Sequence, residues 1–168
     1  MSMWPSESLS RLCFEKVSTP PIIVVGSASA ARRLLGAQPQ ALTREPLLGD
    51  VELWERWFAV AGVRTEVRPV AVFNDAGLML QAAEQNLGLA LGRELLAADA
   101  LTEGRLVKLS PLAITHEMAH PYHLVYPPNL RDWPPLASLR TWLYEELELS
   151  QKALHPTEPK RKPKVRRR

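Results

Sequence analysis

The sequence is poor in cysteine, in long apolar runs and in catalytic signatures. Its single thiol, Cys13, rules out an intrachain disulfide framework and fits a reducing compartment. Standing alone, Cys13 reads as a small, partly buried hydrophobe and not as a nucleophile. No apolar run approaches the roughly 20 residues needed to cross a bilayer. The run of prolines, isoleucines and valines at 20–25 is too short and lacks the flanks of a signal sequence. A cytoplasmic protein with no membrane partner is therefore expected. There is no G-x-S-x-G elbow, no GxGxxG turn and no Cys/His pairing with recognisable context, so neither an enzyme nor a cofactor site is expected.

Basic charge is also scarce where a nucleic-acid surface would need it. The net charge is +3, but from Gln151 onward eight Lys/Arg face one Glu, a balance of +7. The remaining residues, 1–150, therefore carry −4. A nucleic-acid-binding fold would be basic in the fold itself. The tail ending KRKPKVRRR is self-repelling and proline-broken, which predicts disorder. Its contribution would be weak, salt-dependent contact with nucleic acid.

Hydrophobic content of 46% is that of a globular chain. Its most informative stretch is 70–92, VAVFNDAGLMLQAAEQNLGLALG, which reads strand, turn, helix, turn, strand. Val70, Val72 and Phe73 are strand formers, and Asn74-Asp75 supply a helix N-cap. Leu78, Gln81, Ala82 and Gln85 recur at helical spacing, and Gly88 suits the left-handed position that closes a helix. Upstream, Ile22 to Val25 form a β-branched run expected of a strand buried on both faces. Gly26-Ser27-Ala28-Ser29 then lead into a short helix. Such a turn can hold an anion on backbone amides, but it lacks the P-loop lysine, and a connecting turn is the simpler reading. Asp50 caps a helix over 51–61 whose Trp54, Trp57 and Phe58 read as core before they read as a ligand platform.

Residues 1–19 are weakly patterned, with a short helix carrying Leu9, Leu12 and Cys13 as the expectation. A short helix is predicted over 93–98, a strand over 105–109, irregular chain over 111–121 and a strand over 122–126. A last helix is predicted to 149, with Leu136, Leu139, Leu143 and Leu147 on one face. Strands alternating with helices predict α/β architecture around a mostly parallel sheet.

One motif misleads. His116-Glu117-Met118-Ala119-His120 matches H-E-x-x-H, in which two histidines on one helix face share a zinc ion and the glutamate activates its water. A zinc hydrolase is thus the rival reading. Pro121 pushes His120 out of helical geometry, and Pro111 leaves little room for a helix before the motif. Nothing fixes Glu145 or Glu146 as a third ligand. Surface-loop histidines and no metal site are expected.

In order, PLLGDVELWERWFAVAGV, VFNDAGLMLQAAEQNLGLALGRELLAADALTEGRLVKL, YHLVYPP and LASLRTWLYEEL make the chain resemble the effector-binding domain of LysR-type transcriptional regulators. The nearest likeness is to the branch of glycine-cleavage and β-lactamase activators. The resemblance covers 22–149, between a poorly patterned segment at 1–21 and a basic tail at 150–168. It implies a periplasmic-binding-protein-like fold of two α/β lobes, with the first lobe truncated and the helix-turn-helix absent. It also implies a small-molecule effector in the cleft, a homo-oligomer, and no specific DNA contact from this chain. Carried over by motif position, the ligand-binding residues would be Ser27, Asn74, Asp75, Ala76, Leu91 and Gly92, with Tyr126 on a crossover strand.

Overall fold

The computed structural model describes residues 12–114 and 121–155. The HEMAH segment, the expected N-terminal helix start and the basic tail lie outside the described residues. Six strands are present among them: β1 Cys13–Ser18, β2 Ile22–Ser27, β3 Leu47–Leu48, β4 Leu89–Arg93, β5 Leu106–Ile114 and β6 Tyr122–Tyr126. The helices are α1 Ala28–Leu34, α2 Pro39–Leu42, α3 Val51–Val60, α4 Ala76–Glu84, α5 Ala98–Thr102 and α6 Pro134–Leu154.

A four-stranded sheet in the order β3-β4-β2-β5 forms the main body. Every residue of β2 is buried, and its side chains alternate between two cores. Ile22 and Val24 pack with Trp54, Trp57, Phe58 and Leu42 on one face. Ile23 and Val25 pack with Met79, Leu80, Ala82 and Ala83 on the other. This is why the run is apolar without alternation. The sheet is nevertheless not mostly parallel. β3 is parallel to β4, while β2 is antiparallel to both β4 and β5. Three strands thus share a direction and the central one opposes them. A strand buried on both faces carries no mark of its direction, so the sequence misleads here.

Several boundaries differ from expectation. The predicted strand at 70–73 is a single bridge between Ala71 and Leu48, with Val70 and Val72 64% and 72% exposed. Arg93 closes β4, residues 94–97 are turn, and the helix begins at Ala98. β5 runs on through Pro111 to Ile114, tolerating the proline at an irregularity in its register with β2. Asn86, not Gly88, takes the left-handed conformation after α4 (φ 62°). Gly88 is required for another reason: a Cβ there would lie 2.7 Å from the Pro46 carbonyl oxygen.

The second sheet pairs β1 with β6 antiparallel. Cys13 thus lies on a strand, not a helix. Its alternation is hidden because Glu15, at an inward position, is charged. That carboxylate accepts hydrogen bonds from Arg140 Nε at 2.8 Å and from the Tyr144 hydroxyl at 3.0 Å, both on α6. The α6 helix starts on Pro134-Pro135, where missing N–H groups cost nothing, and buries Leu136. Leu139, expected on the same face, is exposed.

Candidate functional site

Two helix starts converge beside the end of β4. After β3 the chain turns at Gly49, whose φ of +102° is glycine's province, and a Cβ there would meet Met79 Sδ at 2.7 Å. Asp50 follows, its carboxylate accepting from Leu53 N–H at 2.8 Å to cap α3. Asp75 does the same for α4, accepting from Leu78 N–H at 2.8 Å. The strand end Leu91–Gly92–Arg93 lies between these starts. Together they bound a cavity of about 450 Å³ that also receives Tyr122 from the first residue of β6.

The floor is apolar: Ile22, Leu48, Phe73, Met79, Leu91 and Leu96. The polar groups are few and come from separate elements: Asn74, Asp50, Glu52, Arg56 and Arg93. Glu52 and Arg56 face each other at 3.9 Å on the exposed side of α3. The Arg93 guanidinium lies over the Tyr122 ring, 4.6 Å from its centre. An apolar floor with a few convergent polar groups is the usual character of a small-molecule site, and the volume is in the usual range. Helix N-termini add a preference for anionic groups.

The residues expected to contact ligand fall into two sets. Asn74, Ala76, Leu91 and Gly92 line the cavity. Gly92 does so with backbone, since a Cβ there would lie 2.8 Å from Leu80 Cδ2. Asp75 is adjacent, with one carboxylate oxygen committed to its cap. Ser27 and Tyr126 are elsewhere. Ser27 is buried, caps α1 by accepting from Ala30 N–H at 3.1 Å, and donates to Asn86 Oδ1 at 2.6 Å. The Tyr126 hydroxyl accepts from Arg140 Nη2 at 3.0 Å within the β1–β6 module. Gly49, Phe73, Arg56, Arg93 and Tyr122 were not anticipated. Only the turn glycine before an aspartate cap carried a sequence signal; the others are brought in by tertiary packing. Among the described residues, no group of three or more His, Cys, Asp or Glu could hold a metal ion.

The model of the LysR substrate binding domain matches residues 2–148. The chain belongs to that family. A LysR-type relative, the HTH-type transcriptional activator AmpR of Citrobacter koseri, is 31% identical over 143 residues, which are 84% of this chain and 46% of that protein. AmpR of Yersinia enterocolitica is 26% identical over 133 residues, 77% of this chain and 44% of the relative. The chain thus spans a little under half the length of the curated relatives it matches. The effector domain of Pseudomonas aeruginosa AmpR aligns with TM-score 0.67 at 22% identity, covering 84% of this chain and 68% of that one. The Citrobacter freundii AmpR effector binding domain gives 0.69 at 19% identity, covering 83% and 69%. The fold is the periplasmic-binding-protein-like α/β fold of LysR effector-binding domains.

Proposed function

We propose that this chain is the small-molecule-sensing part of a LysR-type transcriptional regulator and that its effector occupies the cavity beside the end of β4. The convergence of two aspartate-capped helix starts on an apolar floor, with Asn74 and Arg93 at the rim, carries this reading. Asn74, Ala76, Leu91 and Gly92 would touch the effector, Asp75 would hold the α4 start in place, and Arg93 and Tyr122 would form the facing wall. Ser27 and Tyr126 would act as framework.

The proposed activity is ligand binding: one Asp50 carboxylate oxygen caps α3 and Glu52 lies beside Arg56, which supports recognition of a ligand. Occupancy would shift the population of lobe arrangements and, through them, a homo-oligomer in the cytoplasm. The matching AmpR proteins are transcriptional activators, which supports a role in transcription regulation for the whole protein. DNA specificity would come from outside this chain, and the basic tail would add only weak, salt-dependent contact.

Thermal unfolding of the full chain against amino acids, peptidoglycan fragments and aromatic acids tests the reading. A ligand at a hundred times its Kd adds about 2.7 kcal/mol of stability. At least one class is expected to raise the midpoint in a saturable way. A well-folded sample indifferent to all three would refute the reading.

A further inference from the structure

Arg93 and Glu94 are consecutive at the end of β4, and they face different parts of the molecule. Arg93 lies over Tyr122 at the rim of the cavity. Glu94 belongs to a second cavity, of about 480 Å³, between the β1–β2 connection and the end of α6. Its side chain is only 7% exposed, and both carboxylate oxygens are engaged. Lys108 Nζ of β5 donates to Oε1 at 3.1 Å. Nε2 of His155, the C-cap residue just after α6, lies 3.1 Å from Oε2, on a side chain that is 61% exposed. A carboxylate can only accept, so that ring nitrogen carries the hydrogen. The Glu94 backbone N–H donates to the Pro21 carbonyl at 2.9 Å. Three parts of the fold therefore meet on this one residue.

Glu94 is buried while Lys108 and His155 are partly exposed, so these contacts contribute little net stability; the use of such a contact is to fix one arrangement over others. Here the arrangement concerned is the end of α6 against the β4–α5 turn. We propose that Arg93 and Glu94 form a lever, pivoting on the Glu94–Pro21 hydrogen bond, that couples the cavity to the C-terminal end of α6. This rests on the cavity being the effector site. A ligand that draws Arg93 from the Tyr122 ring would shift the backbone at the strand end, and Glu94 with it. The His155 contact would then tighten or release the last turn of α6. Arg93 and Glu94 are positioning residues in this device.

The test is amide hydrogen exchange of the full chain at residues 151–154, in the unsubstituted protein, Arg93→Met, His155→Ala and the double variant. Loss of this half-exposed contact predicts faster exchange in His155→Ala, by up to about fivefold. Arg93→Met should also accelerate exchange there when His155 is present and add nothing in the His155→Ala background. The same factor in both backgrounds, or no effect of Arg93→Met at 151–154, overturns the proposal. Should Arg93→Met fail to fold, Tyr122→Leu removes the same contact from the other side and carries the same prediction. No metabolite enters this measurement, so failure of the lever and failure of the effector reading are separate results.

Discussion

At the scale of single residues, the site depends on a few positions whose chemistry has no substitute. Gly49 is one. At φ +102°, and with Met79 Sδ 2.7 Å from any Cβ, Gly49→Ala must strain the backbone and displace a core side chain. A loss of about 1–3 kcal/mol is expected in denaturant unfolding. The caps are gentler: Asp50→Ala and Asp75→Ala should each cost about 1 kcal/mol, and Asp50→Asn or Asp75→Asn much less. Asp75 was legible because an aspartate stood before an apolar helical stripe. Arg93 and Tyr122 were not, since 29 positions separate them and no local pattern joins them. One titration follows from the β1–β6 module. The Tyr144 hydroxyl donates to Glu15, which holds its pKa above the usual value of 10.0, with desolvation adding to the shift. A pKa raised on folding means the contribution is complete below about pH 10 and is lost as pH rises through the folded value. Tyrosinate absorbance should show a late-titrating phenol that Tyr144→Phe removes and Glu15→Gln shifts downward.

At the scale of elements, the helices with strong caps and stripes were readable, while the strands were read unevenly. The three rings of α3 are the clearest success: Trp54, Trp57 and Phe58 contact one another at centroid distances of 5.2–6.1 Å, all fully buried. Trp54 Nε1 also donates to the Leu48 carbonyl at 2.8 Å, tying α3 to the strand before the cavity. Trp54→Ala should therefore destabilise by about 3–5 kcal/mol. Trp54→Phe should lose mainly the hydrogen bond, about 1–3 kcal/mol for the carbonyl left unpaired. Calorimetric midpoints separate the two. By contrast, β1 was invisible because its inward position holds Glu15, whose partners Arg140 and Tyr144 lie more than 120 residues away. The opposed direction of β2 was equally hidden, since pairing direction leaves no trace in a strand apolar on both faces.

At the scale of the molecule, the order of sequence phrases was more informative than any one of them. It pointed to LysR effector-binding domains, and the chain's match over residues 2–148 bears this out. What order could not convey is how β1, β6 and α6 sit against the main sheet, because that depends on long-range pairs such as Glu94–His155 and Arg93–Tyr122. At this scale the proposed effector site is the cavity beside the end of β4. Ala76 lines that cavity but is exposed on the first turn of α4, so enlarging it fills the space without disturbing the core. Isothermal titration of a stabilising metabolite into the unsubstituted chain, Asn74→Ala and Ala76→Leu is the direct measurement. Unchanged melting temperatures with binding weakened at least tenfold in both variants are predicted; undiminished binding in Ala76→Leu would place the effector elsewhere.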